Sequence, residues 1–308
     1  MLTRFKQYVK SSRFLRVLLF PPIWLRRKRL TGRVKALMKN YNQVVRGGEM
    51  IVSPTNFPGR FKLDATSDLA KRLILDGTFE PELTALLTRF ADCGGDAVNI
   101  GANVGFYSVF FAQNFPNVRR VLAIEPNPEA YELLQSNIEA NGVKDRVEVL
   151  QVCIGEVSGQ VDLAFVPGRS EYSSIGRIVH TSVSGLVQNH ITVDVLPLTE
   201  IESGSTLEPG IIFVDTEGAE LLVLKGAESI IREYKPLLFF ECEDELLKKF
   251  DHSSKLLHSY VTALGYEVRN ALSPKTGLSH PFTGVAVAVP ANRQDWLSAL
   301  QGKNGSLN

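Results

Sequence analysis

Apolar positions along this chain fall into two periods. From residue 97 onward, short solid apolar runs alternate with longer amphipathic stretches. The runs are Ala97-Val-Asn-Ile100, Val121-Leu-Ala-Ile124, Val147-Glu-Val-Leu-Gln-Val152, Ile211-Ile-Phe-Val214 and Leu237-Leu-Phe-Phe240. They are too short for helices and mostly apolar at successive positions, which marks parallel strands covered on both faces. Between them, residues 106–114, 129–140 and 219–231 carry helical spacing, and Asn141-Gly142 is a helix stop. Residues 265–268 and 284–289 are expected to close the sheet as an antiparallel hairpin. Upstream, short strands near 43–45 and 61–63 precede helices over 68–75 and 81–90, with Gly47-Gly48, Pro54 and Pro58-Gly59 as turn punctuation. Stretches 165–195 and 268–283 are expected as loops that shape a pocket. The alternation predicts an α/β domain.

Composition adds one asymmetry. The chain has 308 residues, 44% hydrophobic and 22% charged, with a formal net charge of +1. No Asp or Glu precedes Glu49, whereas Arg and Lys recur from Arg4 to Arg46, so a basic arm precedes an acidic body. In the arm, Phe5, Tyr8, Val9, Phe14, Leu15, Leu18 and Leu19 interleave with the cations at roughly helical spacing. Such a helix suits an anionic membrane surface; a solvated arm, or a helix docked on the body, fits the same composition. The apolar run Val17–Leu25 is interrupted by Pro21-Pro22 and is about half the ~20 residues of a membrane span. Basic residues flank it on both sides, unlike a cleaved leader. Cys93, Cys153 and Cys242 form no CxxC or disulfide framework, and the five histidines show no ligand spacing. A cytoplasmic protein without a structural metal is expected, with any membrane attachment peripheral and at the inner face. No nucleic-acid partner is expected. The organisation expected is a basic arm and small cap region over 1–74, the α/β domain over 75–292 and a tail over 293–308.

The candidate chemistry sits where strands end. Asn99-Ile-Gly-Ala-Asn-Val-Gly105 is a strand opening into a tight turn that leads into a helix. Gly101 lets the backbone bend sharply, and Gly105 lets a ligand or strand approach the helix closely. The spacing is neither the GxGxxG of dinucleotide proteins nor a phosphate-cradling GxxxxGK[ST]. Glu125 ends the next apolar strand twenty positions after Gly105, where an acid can accept both ribose hydroxyls of a nucleoside. Pro126 and Pro128 shape the loop that follows. A second cluster, Asp215, Glu217 and Glu220, follows the strand 211–214, and Glu241 follows 237–240. Asp215 first and Glu217 second are candidates to orient an acceptor hydroxyl and take its proton. Glu217 and Glu220 also fit as acids that begin a helix.

Taken together, Asn99–Gly105, Ala123-Ile-Glu-Pro-Asn-Pro128 and Val214-Asp-Thr-Glu-Gly-Ala-Glu220 resemble the FkbM-type methyltransferases. Phe79-Glu-Pro81, Val152-Cys-Ile-Gly155, Ser173-Ser-Ile175 and Leu224-Lys-Gly-Ala227 also match, so the resemblance covers roughly residues 75 to 245. It implies a Rossmann-like class I methyltransferase fold, with a mostly parallel seven-stranded sheet and helices on both faces. It further implies an O-methyltransferase using S-adenosylmethionine, with a sugar, glycoconjugate or other small hydroxylated metabolite as acceptor. By that resemblance, Gly101, Asn103, Gly105, Phe106 and Tyr107 hold the methionine part, with Glu80 closing over it. Glu125, with Pro126 and Asn127, holds the ribose, and Cys153 and Ile154 line the adenine. Asn99 is also assigned to the cofactor site, but the family usually has Asp there. An amide stabilises a cationic cofactor less than a carboxylate does. Two other readings stay open: a degenerate methyltransferase fold acting as a binding scaffold, and a dinucleotide-dependent oxidoreductase. For the arm, the membrane expectation is that the full chain co-sediments with anionic vesicles at low salt and is released as salt is raised. No binding at low salt refutes it.

Overall fold

The computed structural model describes residues 48–176, 178, 183–201 and 206–300. The basic arm and the strand expected near 43–45 lie outside the described residues. Glu49–Asn308 is one compact unit. It begins with an antiparallel hairpin, β1 (Glu49–Val52) and β2 (Phe61–Asp64). Helix α1 (Asp68–Asp76) follows, its first turn capped by the Ser67 hydroxyl and its end closed by left-handed Gly77. Helix α2 (Pro81–Thr88) starts on a proline, whose missing N–H costs nothing at a first helical position. The alternation then runs β3 (Asp96–Ile100), α3 (Phe106–Asn114), β4 (Val121–Ile124), α4 (Pro128–Ala140) and β5 (Val147–Leu150). Next come β6 (Cys153–Ile154), β7 (Gly159–Val166), β8 (Arg169–Ile175) and β9 (Asn189–Leu196). The second half contains β10 (Pro209–Val214), α5 (Glu220–Gly226), α6 (Glu228–Tyr234), β11 (Leu237–Glu243), α7 (Asp244–Leu247) and α8 (Ser254–Ala263). The chain finishes with β12 (Tyr266–Asn270), β13 (Thr283–Pro290) and α9 (Gln294–Leu300).

The main sheet has seven strands in the order β12-β13-β11-β10-β3-β4-β5. All run parallel except β13, which is antiparallel to both its neighbours. With helices on both faces, this is the Rossmann-like arrangement. The two terminal strands do pair antiparallel as expected, but β13 is inserted between β11 and β12 rather than added at the edge.

Strand alternation divides the core in two. One face is aromatic: Phe61, Phe106, Phe110, Phe111, Phe115, Phe213 and Phe239 are buried there. The other face is mainly aliphatic, with Val98, Ile100, Leu122, Ile124, Ile212 and Val214 packed under α5, α6 and α8. All five positions of β3 are buried.

Four elements depart from the sequence reading. The predicted loop 165–195 is largely β7, β8 and β9, which with β6 form a second sheet in the order β6-β9-β7-β8. Strand β8 buries Ser170 and Ser174 and has no apolar alternation. By contrast, Val161, Leu163 and Phe165 in β7 and Ile191, Val193 and Val195 in β9 alternate with other residues, a strand signal that the loop expectation passed over. The helix predicted over 219–231 is two helices meeting at Ala227. Beside the joint, a Cβ on Gly226 would lie 1.9 Å from the Gly155 carbonyl oxygen, so backbone presses on backbone there. Residue 75, drawn as a domain boundary, falls inside α1. The segment from 293, expected as a tail, contains α9, whose Trp296, Leu297 and Leu300 are buried. Trp296 meets Phe90 edge-on at 6.2 Å and lies under the Arg293 guanidinium at 3.6 Å.

Because Trp296 fills the aromatic core, Trp296→Ala should destabilise the protein by about 3 kcal/mol, read as a lower urea midpoint. An unchanged midpoint would detach α9 from the domain.

Candidate active site

The parallel ladder does not stop where the strands do. Gly101 and Ala102 both donate their amides to the Ile124 carbonyl at 2.9 Å, Glu125 donates to Leu150 at 3.0 Å, and Asp215 donates to Ile100 at 2.9 Å. The loops after β3, β4 and β10 therefore leave from one edge of the sheet. Strand order reverses between β3 and β10, and ligands of open α/β sheets bind at such a switch point. The two loops touch there. Gly101 has φ 79°, and a Cβ on it would lie 1.7 Å from the Asp215 carbonyl oxygen. Gly105, at φ 93°, leaves no room for a Cβ against Leu134. Asn137 holds this turn from behind. Its amide donates to the carbonyls of Val104 (2.8 Å) and Lys62 (3.1 Å) and accepts the Lys62 N–H at 2.6 Å.

A cleft of about 560 Å³ opens over this edge. On one side lie Ile124, Glu125, Pro126, Val152, Cys153, Ile154 and Leu163, an acid set beside an apolar slot. Glu125 is almost fully buried, accepting the Asn103 N–H at 2.7 Å and the Asn127 N–H at 2.9 Å. Burial raises its pKa to about 7, against the pull of those two amides. Asn103 sits in the left-handed region at φ 48°, and its Oδ1 is buried without a partner. Toward the other side, the Tyr107 hydroxyl donates to Glu80 and its ring stacks on Phe213 at 4.2 Å. Phe106 stacks between Phe61 (3.9 Å) and Phe79 (4.2 Å), fixing the start of α3.

The acids after β10 stand beyond. Asp215 is buried, and burial with Glu217, Glu80, Glu220 and Glu125 nearby pushes its pKa well above the usual carboxylate range. Glu217 adopts φ 57°, and burial raises its carboxyl to about 7 although Lys249 opposes the shift. Glu220 has a different task. Its Oε1 accepts from the Thr216 amide (3.1 Å), the Thr216 hydroxyl (3.0 Å) and the Gly218 amide (3.1 Å), so it braces the loop that carries Asp215. Glu241 and Glu243 line the cleft from the end of β11.

The cleft thus gathers Glu80, Gly101, Asn103, Phe106, Tyr107, Glu125, Pro126, Cys153, Ile154, Asp215 and Glu217. Asn99, Gly105 and Asn127 stand behind its wall. Asn99 donates to the Ser108 hydroxyl at 2.9 Å, leaving its buried Oδ1 unpartnered. Asn127 caps α4 by accepting the Glu129 N–H. Sequence reasoning missed the roof. Asp68 and Arg72 reach the cleft from α1, and Glu171 and Tyr172 from β8. The roof is stapled: the Glu171 carboxylate accepts the Asp68 N–H at 2.5 Å, the Tyr172 hydroxyl donates to the Asp68 carboxylate at 2.9 Å, and Arg169 pairs with Asp68 at 3.1 Å. No sequence signal links residues a hundred positions apart. Among the described residues, no group of three or more His, Cys, Asp and Glu could hold a metal ion.

The raised carboxyls tie stability to pH. Burial raises the Glu125 and Glu217 carboxyls in the folded chain to about 7, from an ordinary value of 4.5. Between those values the folded chain holds protons the unfolded chain has released, so stability falls as pH rises. The unliganded protein should lose several degrees of Tm between about pH 5 and about pH 8. Glu125→Gln combined with Glu217→Gln should flatten that slope; a Tm that rises across the range in the native chain contradicts the argument.

Comparison with known proteins agrees with this geometry. The Methyltransferase FkbM domain matches residues 99–268, which span β3 to β12. The hexuronic acid methyltransferase AglP of Haloferax volcanii is 26% identical over 190 residues, covering 59% of this chain and 70% of that protein. The methyltransferase sdnD of Sordaria araneosa is 26% identical over 155 residues, covering 42% of this chain and 60% of its own length. The crystal structure of methyltransferase FkbM from Methylobacillus flagellatus KT aligns with a TM-score of 0.42 and 20% identity, over 64% of this chain and 44% of that one. The family match takes in more than half of the chain and includes the Gly101 turn and the acids at the ends of β10 and β11: the protein belongs to the FkbM methyltransferase family.

Proposed function

We propose that the protein transfers a methyl group from S-adenosylmethionine to a hydroxyl oxygen of a sugar or another small hydroxylated acceptor. The observation that carries this reading is the charge of the cleft. Asp68, Glu80, Glu125, Glu171, Asp215, Glu217, Glu241 and Glu243 line it, and Arg72 is the single Lys, Arg or His among the described lining residues. A ligand bearing sulfonium and ammonium cations relieves that crowding of buried acids. The donor groups fit in detail. Glu125 is placed to accept ribose hydroxyls, the slot of Ile124, Val152, Ile154 and Leu163 suits a purine face, and the orphaned Asn103 Oδ1 awaits a hydrogen-bond donor. Bound there, the donor supplies an electrophilic methyl carbon on a sulfonium that leaves as a neutral thioether. Asp215 orients the acceptor hydroxyl and accepts its proton, with Glu217 beside it. An acceptor of the sugar class is supported by the hexuronic acid methyltransferase among the relatives.

Calorimetry with S-adenosylmethionine tests the donor. Binding is expected, and Glu125→Ala should weaken it at least tenfold, or about 1.4 kcal/mol. Binding of a nicotinamide dinucleotide instead, or of neither ligand, overturns the reading. Incubation with a glycan panel should yield a product heavier by one methyl. Asp215→Asn should keep the fold while cutting turnover at saturating donor about a hundredfold; full turnover removes Asp215 from the chemistry.

A further inference from the structure

Asp215 follows the last residue of β10 and Glu241 lies near the end of β11, and their placement is set by the ladder. Val214 pairs with Phe240 in parallel register, so Asp215 and Glu241 are the next residues on neighbouring strands. Neighbouring strands lie about 4.8 Å apart, and residues in register point to the same face. That face is the aromatic one, since Phe213 and Phe239, two residues earlier on each strand, belong to it and stack at 6.2 Å. Two carboxyl groups are thus held side by side at the floor of the cleft. The Glu241 Oε2 is buried and has no hydrogen-bond partner. A buried carboxylate oxygen left unbonded is costly, and native structures rarely keep one without a use.

We propose that Asp215 and Glu241 work as a proton-sharing pair, and that the unpartnered Glu241 Oε2 receives the hydrogen bond of the acceptor hydroxyl. This rests on the methyl-transfer reading above. Two buried carboxylates so close cannot both be ionised at low cost, so the unliganded pair keeps one proton. The surroundings push the same way. Asp215 faces Glu217, Glu80, Glu220 and Glu125; Glu241 faces Glu220, Glu217 and Glu243; the nearby cations, Lys249 and Arg72, stand beside Glu217 and Tyr107. A cationic ligand in the cleft expels the shared proton and leaves the pair fully ionised. The acceptor's O–H bond then breaks toward the pair. Its electron pair stays on oxygen for the new bond to the methyl carbon, and its proton takes the place of the one expelled. Proton count is therefore restored in each cycle without a proton crossing to bulk water during the transfer. Glu241 is by this account a catalytic residue of equal standing with Asp215.

The test needs no acceptor. Calorimetry of the full chain at neutral pH, in two buffers of different ionisation enthalpy, counts protons released on binding. S-adenosylmethionine and S-adenosylhomocysteine differ in the sulfonium charge. The cation should release up to about one proton more than the thioether. The variants are read in a Glu125→Gln, Glu217→Gln background, which removes the other carboxyls that titrate near 7. There Glu241→Gln and Asp215→Asn should each cut that difference by more than half, while Glu241→Asp, which keeps a carboxyl, should retain most of it. A thermal melt confirms that each variant folds. If both ligands bind the native chain with the same proton count, or Glu241→Gln preserves the difference, the pair is wrong and the donor reading stands. If neither ligand binds, both fall.

Discussion

The register of four parallel strands, β4, β3, β10 and β11, is the constraint on which the site depends. Backbone hydrogen bonds continue one residue past the ends of β3, β4 and β10, so Glu125, the Gly101 turn and Asp215 leave the sheet in a row with Glu241, which is still within β11. Neighbouring strands are about 4.8 Å apart, so the row is close to the spacing of a small ligand's functional groups. The glycine at 101 follows from it: two loops leaving adjacent strands meet backbone to backbone, with no room for a Cβ between them. Sequence, ladder and chemistry are one argument here, because a slip of one residue would turn each acid to the opposite face.

What the row costs is visible in its protonation. Acids that are desolvated together hold on to protons, and burial is the largest cause for Glu125, Asp215, Glu217 and Glu241 alike. Three lining residues also sit in the left-handed region without being glycine: Glu80, Asn103 and Glu217. Such backbone persists only where the surroundings over-determine it, and here Glu220 and the Glu125–Asn103 contact do so. Local stability has been given up around the cleft, in a form that a cationic ligand can return.

The legible parts of the sequence were those with one dominant physical cause. Ala97–Ile100, Val121–Ile124 and Ile211–Val214 stood out because burial on both faces demands unbroken apolar runs. The acids at 125 and 215 stood out because they end such runs. In the β6–β9 sheet only β8, which buries serines, mimics a loop; the alternating Ile191, Val193 and Val195 of β9 were a legible strand signal that was overlooked. Helix α8 went unnoticed between two better signals. Asp68, Arg72, Glu171 and Tyr172 could not be assigned to the cleft, since only the tertiary staple between α1 and β8 brings them there. Asn137 looked like an ordinary helix residue; its work is to join three segments through its amide.

The insertion of β13 between β11 and β12 has a temporal consequence. A chain made from its N-terminus leaves the outer edge of β11 bare until Thr283–Pro290 emerges, roughly forty residues after β11 itself. Glu241 lies on that edge, opposite Val285. The wall that carries the last acid of the row is therefore completed only once β13 has emerged. Until then an unpaired apolar strand offers itself to any other nascent chain nearby, which makes the interval between the emergence of β11 and that of β13 one of exposure to misassembly.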